Sequence, residues 1–228
     1  MTGDHDYYAG DSGKSYQLSV HGDVIRSPRV FRAKATLAAH RYFRELPLSA
    51  RILEYGVGVG TNLATLEHPV RHGFDIGEFA RQKASEAGVE VFASLDEIPR
   101  GHYDLVLCRH VLEHVTEPLS LLNDLKSFLA PEGQLLLIIP VEGTTASVRR
   151  LPEPDVNNHL YAWGPQQIVN LLRAAELAPV SHQIYWYSAQ AKLSPLLGLA
   201  GIRFYSALVT LAGHIRRQRE LAIWARTA

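Results

Sequence analysis

Three glycines at alternate positions follow an acidic residue in the segment Arg51-Ile-Leu-Glu-Tyr-Gly-Val-Gly-Val-Gly. Glycine lets a backbone turn tightly and approach a ligand closely, because no side chain stands in the way. The segment begins with the apolar residues of a buried strand, so we expect a ligand at the end of that strand. Gly56, Gly58 and Gly60 are spaced G-x-G-x-G, whereas the dinucleotide fingerprint is G-x-G-x-x-G. This difference disfavours a dinucleotide-dependent oxidoreductase.

Three of the eleven histidines lie where an imidazole could accept a proton from a reacting group. His110 directly follows a predicted strand, His114 lies four residues later, and His159 precedes a predicted helix. Imidazole titrates near neutral pH and is the commonest general base in proteins. We treat all three as catalytic candidates. Two structural alternatives remain open, since His114 could make an internal hydrogen bond and His159 could anchor its loop.

The composition excludes several classes of partner. Lys plus Arg and Asp plus Glu both number 23, so the overall charge offers no attraction to nucleic acid. The single cysteine, Cys108, cannot form an intramolecular disulfide, and no signal peptide is evident, so we expect a cytoplasmic protein. No residue spacing is typical of a zinc site, so we predict no metal, although Glu113 and His114 with another acidic residue could weakly hold a divalent ion.

Strand and helix patterns alternate from Arg51 onward, which is typical of a parallel sheet covered on both faces. The predicted strands are 51–55, 70–74, 89–92, 103–108, 134–139, 180–188 and 221–226. Before them, residues 1–46 are predicted to form an N-terminal arm and a helix. The arm, 1–25, is polar without a sustained apolar period and is expected to be irregular, and the helix starts at Pro28.

The segment from Leu193 to Gly213 is almost wholly apolar and long enough to span a bilayer. Arg203 at its middle and Pro195 near its start disfavour such a span. We expect a core or lid helix pair, with no stable membrane insertion and with interfacial contact as the alternative. The chain length suits one domain, a monomer or a homodimer, in which a loop at 141–162 and an insertion at 192–214 lie on the substrate side.

Four segments, in order, resemble the motifs of class I S-adenosylmethionine-dependent methyltransferases, especially small bacterial enzymes that act on metabolites, sugars and lipids. They are Glu54–Gly60, Gly73–Gly77, Tyr103–Val115 and Leu129–Pro140. The resemblance spans about 51–177 and implies a cofactor-binding core at 51–178. We predict a Rossmann-like, doubly wound α/β fold with helices on both faces. Its seven-stranded sheet has the order 3-2-1-4-5-7-6, and only the last strand is antiparallel.

The resemblance also implies a place for S-adenosylmethionine. The glycine turn would wrap its amino acid end, Asp75 would bind the ribose hydroxyls, and Ile76 would cover the adenine. A helix N-cap is the alternative role for Asp75. Family members often carry an aspartate near Ser94, and this chain does not. The residues implied to contact the cofactor are Glu54, Tyr55, Gly56, Gly58, Gly60, Asp75, Ile76, Ser94, Leu95, Arg109 and His110.

The function expected from the resemblance is methyl transfer to a hydroxyl or amine of a small-molecule acceptor, such as a sugar or natural product. The alternatives are a methyltransferase-like protein that binds the cofactor without turnover and a dinucleotide-dependent oxidoreductase. Selective transfer requires that water be excluded and the acceptor oriented. We expect the apolar segment and five aromatic residues to close over the methyl group as a lid. The aromatic residues are Tyr7, Tyr8, Tyr16, Tyr161 and Trp163.

Overall fold

The computed structural model describes residues 7–8, 10–141 and 157–228, and in this part of the chain seven strands form one sheet. The sheet order is β3-β2-β1-β4-β5-β7-β6. β7 is antiparallel to both of its neighbours, and the other pairs are parallel. The predicted fold and strand order are confirmed. The strands are β1 Ile52–Tyr55, β2 Arg71–Phe74, β3 Glu90–Phe92, β4 Tyr103–Arg109, β5 Leu129–Pro140, β6 Leu177–Trp186 and β7 Arg219–Thr227.

Proline opens four of the helices in the described chain, because its fixed φ suits the first turn and its missing N–H is not needed there. The helices are α1 Gly10–Val20, α2 Gly22–Arg26, α3 Pro28–Ala38, α4 Glu78–Glu86, α5 Pro118–Phe128, α6 Pro165–Ala174, α7 Gln190–Leu193 and α8 Pro195–Arg216. α3 continues into a π-helical turn, Ala39–Phe43, and a 3-10 turn spans Leu95–Glu97.

The N-terminal segment corrects one expectation. Residues 1–25 were expected to be irregular, yet 10–26 form α1 and α2. α1 buries only Gly13, so it has no apolar face for sequence periodicity to reveal. It lies against α4, and contacts with the rest of the fold override its weak local pattern.

The sheet register brings three strand ends together. Tyr55, the last residue of β1, pairs with Phe74 of β2 on one side and with Cys108 of β4 on the other. The residues that follow these strands therefore emerge at one edge. The strand order reverses direction at β1, and such a switch point is where open α/β sheets bind ligands.

Helix α8 is not a core helix. It is long and apolar enough to cross a bilayer, but only 17% of its most apolar 18-residue stretch is buried in the protein. A kink at Gly201 (φ 75°) divides it. Its buried side, with Tyr205 and Val209, packs on Ala33 and Leu37 of α3. The segment therefore covers the back of α3 and leaves its other side exposed.

Candidate active site

A cavity of about 450 Å³ opens at the edge where β1, β2 and β4 end. Of the predicted site residues, Gly60, Ser94 and Leu95 do not line it. Ser94 instead caps the 3-10 turn, because its hydroxyl accepts a hydrogen bond from Asp96 N. The adenine contacts predicted for Ser94 and Leu95 stay predictions. The predicted residues that do line the cavity are Glu54, Tyr55, Gly56, Gly58, Asp75, Ile76, Arg109, His110, His114 and His159.

The glycine turn depends on left-handed backbone conformations. Gly56, Gly58 and Gly60 have φ of 75°, 53° and 80°. A Cβ at Gly56 would lie 2.3 Å from a methyl of Val111, and one at Gly60 would lie 3.0 Å from Cα of Ala84. Gly56 therefore lets the turn approach the segment after β4, and Gly60 lets it pack on α4.

Asp75 links the end of β2 to the glycine turn. One carboxylate oxygen accepts a hydrogen bond from Gly58 N at 2.9 Å, and the other accepts one from Gly77 N at 2.8 Å. Gly77, not Asp75, is the N-cap of α4, so the N-cap alternative is wrong. Burial raises the pKa of Asp75, while these two bonds and Arg81 oppose the rise. Each oxygen keeps a lone pair that could accept from a ligand hydroxyl.

Glu54 is buried at the base of the turn. Asn62 donates a hydrogen bond to its Oε1, and within the described chain its Oε2 has no hydrogen-bond partner. Burial raises the pKa of Glu54 to about 8, against the opposing effects of the Asn62 bond and Arg109. A cationic hydrogen-bond donor on a ligand would satisfy such an unpartnered carboxylate oxygen beside a cavity. The residues at this end thus fit the amino acid end of S-adenosylmethionine, which carries an ammonium group.

His110 sits in a strained backbone conformation beside a buried carboxylate. Its φ is 53°, which is uncommon outside glycine and frequent at functional sites. Its backbone N–H donates to the carbonyl of Ile138 at 2.9 Å. Its Nε2 lies 3.1 Å from a carboxylate oxygen of Glu220. Arg109 also donates to this carboxylate at 3.0 Å, and Tyr42 donates to its other oxygen.

Glu220 is a site residue that sequence reasoning missed. Burial alone would raise its pKa, but the charge of Arg109 and the bonds from His110 and Tyr42 hold the pKa well below the ordinary range. Glu220 is therefore an ionised carboxylate that orients His110. Because β7 is antiparallel, its first residues lie at the edge where the parallel strands end, and Glu220 pairs there with Pro140. The predicted antiparallel strand was the signal that could have located it.

His114 and His159 meet at the mouth of the cavity, with ring centroids 4.8 Å apart. Tyr8 O–H lies 2.8 Å from Nδ1 of His114. Ligand atoms of Glu113, His114 and His159 all lie within 4.8 Å of one another. Three such donors are one fewer than a structural zinc site uses but match the number in a catalytic zinc site, and the prediction of no metal stays a prediction.

The N-terminal helices supply residues that were not predicted as site residues. His21 and Lys34 line the cavity with Tyr8 and Tyr16. Burial, followed by the charges of Lys34 and Arg109, lowers the pKa of His21 to about 4, so this imidazole is neutral at physiological pH. His21 was missed because its segment was expected to be irregular, without a fixed position.

The predicted lid is only partly assembled around the cavity. Tyr161 and Trp163 stack on each other, with centroids 4.9 Å apart, but neither they nor Tyr7 line the cavity. No residue of the insertion 192–214, all of which the structure describes, lines it either. Residues 142–156 of the predicted substrate-side loop lie outside the described residues. The substrate-side role of both segments stays a prediction.

Comparison with known proteins decides the family. A family described as a methyltransferase domain matches residues 29–182, which is more than half of the chain. The chain belongs to this methyltransferase family. The prediction of an S-adenosylmethionine-dependent class I methyltransferase is thereby confirmed at the level of the family.

Individual relatives of this methyltransferase are distant. It is 26% identical to the ubiquinone biosynthesis O-methyltransferase of Vibrio campbellii in an alignment 149 positions long that covers 56% of this chain and 63% of that protein. The enzyme of the same name from Xanthomonas axonopodis pv. citri is 26% identical in an alignment 144 positions long that covers 58% of this chain and 60% of that protein. The methyltransferase thus matches about three fifths of the length of these curated relatives.

Solved structures resemble the methyltransferase over most of its length. An S-adenosylmethionine-dependent methyltransferase from Thermotoga maritima matches with a TM-score of 0.62 and 16% identity, covering 94% of this chain and 99% of that one. The magnesium protoporphyrin IX methyltransferase of Synechocystis, solved with bound S-adenosylhomocysteine, matches with a TM-score of 0.60 and 17% identity, covering 97% of each chain. At these identities the likeness shows the shared fold.

Proposed function

We propose that this methyltransferase moves a methyl group from S-adenosylmethionine to a hydroxyl of a small-molecule acceptor, with His110 as the general base. The observation that carries the proposal is the pairing of His110 with the buried, ionised carboxylate of Glu220 at 3.1 Å. A carboxylate 3.1 Å from one ring nitrogen favours the imidazole tautomer that carries its proton on that nitrogen. Its other nitrogen, Nδ1, is then free of a proton and can accept one.

A general base matters only for a poor nucleophile. An alcohol holds its proton near neutral pH and needs a base to remove it, whereas a neutral amine can attack a methyl group directly. When bound, S-adenosylmethionine supplies the electrophilic methyl. His110 takes the acceptor proton at Nδ1, and Glu220 stabilises the imidazolium that forms. An oriented histidine–carboxylate pair therefore favours hydroxyl over amine acceptors.

The cofactor end of the cavity supports the same proposal. Glu54 Oε2 offers an acceptor for the ammonium group, and Asp75 offers lone pairs for the ribose hydroxyls. The curated relatives are named O-methyltransferases, which agrees with a hydroxyl acceptor. A sugar or natural-product acceptor, a cytoplasmic location and a monomeric or homodimeric state remain part of the proposal.

The proposal is tested by measuring cofactor binding and turnover separately. Calorimetry with S-adenosylmethionine should give a micromolar dissociation constant, an affinity of about 8 kcal/mol. Release of S-adenosylhomocysteine is then followed with two acceptor panels that match in size, one of phenols and sugars and one of primary amines. Turnover confined to the hydroxyl panel is expected. Turnover confined to amines would overturn the assignment of a base, and binding without turnover on either panel would favour the non-catalytic alternative.

A further inference from the structure

Helix α8 carries two apolar stripes, one of which packs on α3 while the other is largely exposed in the described part of the chain. Tyr205, Val209 and Gly213 form the buried stripe. Phe204, Leu208, Leu211 and Ile215 follow at helical spacing on another side of the helix. Of the outer residues, Phe204 is 49% exposed, Leu211 57% and Ile215 75%. Large apolar side chains aligned in this way are a feature of a binding surface.

The outer stripe is bordered by positive charge. No Asp or Glu occurs between Glu176 and Glu220, a stretch that contains five Lys and Arg residues. A shallow groove beside the stripe is lined by His40, Arg44, Arg203 and His214. Glu45 is the acid that pairs with this group, at 3.0 Å from Arg44. The surface thus combines an apolar ridge with a groove that carries two arginines, of which Arg203 is not paired with Glu45.

The size of the stripe argues against a second copy of the chain as its occupant. Residues 204–215 span about 18 Å of helix, and a helix about 10 Å wide then offers roughly 200 Å². A stable protein interface needs about 800 Å² from each partner. An interfacial helix needs less, because partial insertion of an apolar face adds to attraction between basic residues and anionic headgroups.

We infer that α8 lies flat on an anionic phospholipid bilayer, with Phe204, Leu211 and Ile215 inserted and with phosphate groups held by the groove around Arg203 and His214. Arg203 lies in the middle of α8, and β7, which follows α8 directly, belongs to the central sheet. Both features agree with a helix that rests on the membrane surface and does not cross it. Since no residue of α8 lines the cavity, this contact can form while the active site stays open.

The inference is tested with the full chain and vesicles, without any acceptor. Flotation should show binding to phosphatidylcholine vesicles that contain phosphatidylglycerol, and little binding to pure phosphatidylcholine. The triple variant Phe204→Ser, Leu211→Ser, Ile215→Ser should weaken binding at least about tenfold, because three apolar side chains no longer insert. Arg203→Gln should weaken it about fivefold and reduce its salt sensitivity.

A matched control removes three exposed apolar residues elsewhere. Leu48, Val180 and Ile184 are 63%, 53% and 43% exposed, and their triple serine variant should bind vesicles like the wild type. Unchanged calorimetric affinity for S-adenosylmethionine in both triple variants shows that the fold is kept. Absence of binding to anionic vesicles, or equal loss in the control, would overturn the inference. So would sedimentation showing a dimer that only the α8 variant dissociates.

Discussion

The two ends of the cavity are built from different parts of the chain. The end that we propose binds the cofactor consists of the glycine turn with Glu54 and of Asp75, all within 22 residues of sequence on adjacent strands; it is called the cofactor end, and the opposite end the acceptor end. The end that we propose binds the acceptor contains His21, which directly precedes α2, and His110, which directly follows β4, with Glu220 of β7 beside His110. Backbone conformation determines the shape of the first end, and long-range side-chain contacts determine that of the second.

This difference predicts that the two ends fail in different ways. Changes at the cofactor end should weaken S-adenosylmethionine binding, because the proposed contact of the turn with the ligand is made by its backbone. Changes at the acceptor end should lower turnover and leave cofactor affinity intact, because a base acts only on the reacting acceptor. Each variant is therefore measured for S-adenosylmethionine affinity and for turnover.

The largest effect is expected for His110→Asn. Asparagine tolerates the left-handed conformation that residue 110 adopts, so the backbone can be kept while the base is lost. We expect kcat to fall about 10²- to 10⁴-fold, the usual contribution of a general base, with calorimetric cofactor affinity within about threefold of wild type. The exposed His182→Asn is the control. If His110→Asn lowered cofactor affinity as much as turnover, the two ends of the cavity would not have separate roles.

Gly56→Ala should have the next largest effect, on binding. The substitution forces a left-handed alanine and places its Cβ 2.3 Å from Val111. We expect S-adenosylmethionine affinity to fall about 100-fold, from backbone strain together with steric overlap. Gly88→Ala provides the control, because its φ of 84° is equally unfavourable while nothing lies within 4 Å. If both variants bind normally, the turn does not shape the cofactor end.

The cofactor end could be predicted from sequence because its residues are neighbours in the chain. An apolar strand, a glycine turn and an acid after the next strand are local patterns, and parallel strand order brings them together. Asp75 and Gly56 were predicted in this way, and both line the cavity. The packing role of Gly60 against Ala84 was not, since it depends on where α4 lies.

The acceptor end could be predicted only in part. His110 was found because it directly follows a strand, but its partner Glu220 lies 110 residues later and only the antiparallel pairing of β7 brings it close. His21 was missed because α1 and α2 lack an apolar period and are ordered by their contacts. Local pattern cannot reveal a residue whose position depends on tertiary packing.

Glu54→Gln should affect the cofactor end in a pH-dependent way. The pKa of Glu54 is about 8 in the folded protein, so wild-type cofactor affinity should rise with pH up to about that value, as the carboxylate ionises and can pair with an ammonium. The variant should bind about tenfold more weakly near pH 8, where the carboxylate and the ammonium are both populated, which is the typical loss of a charged hydrogen bond, and should differ little at pH 6.

The same variant should be more stable than the wild type without ligand at high pH. Because burial raises the folded pKa of Glu54, the folded state holds its proton above the unfolded pKa, and stability falls as pH rises from the unfolded value to about 8. Glutamine removes this loss and still accepts from Asn62. Thermal unfolding at pH 9 checks it, and a lower melting temperature for Glu54→Gln would contradict the assigned pKa.

The smallest effect is expected for Tyr8→Phe, which tests whether the N-terminal segment belongs to the acceptor end. The Tyr8 hydroxyl lies 2.8 Å from Nδ1 of His114 and donates to the carbonyl of Asn157 at 3.2 Å. Loss of one net hydrogen bond is worth about 1 kcal/mol, so kcat/KM for the acceptor should fall about fivefold while cofactor affinity is unchanged.

The control for Tyr8→Phe is Tyr185→Phe, which removes a hydroxyl bond of similar length, 2.7 Å to the carbonyl of Arg41, outside the cavity. This control should leave both affinity and turnover unchanged. If Tyr8→Phe instead weakened S-adenosylmethionine binding and spared turnover, Tyr8 would belong to the cofactor end. The cofactor end would then include a side chain from the N-terminal segment in addition to the strand ends and the glycine turn. The two ends of the cavity would in that case differ in the ligand they bind but not in the part of the chain that builds them.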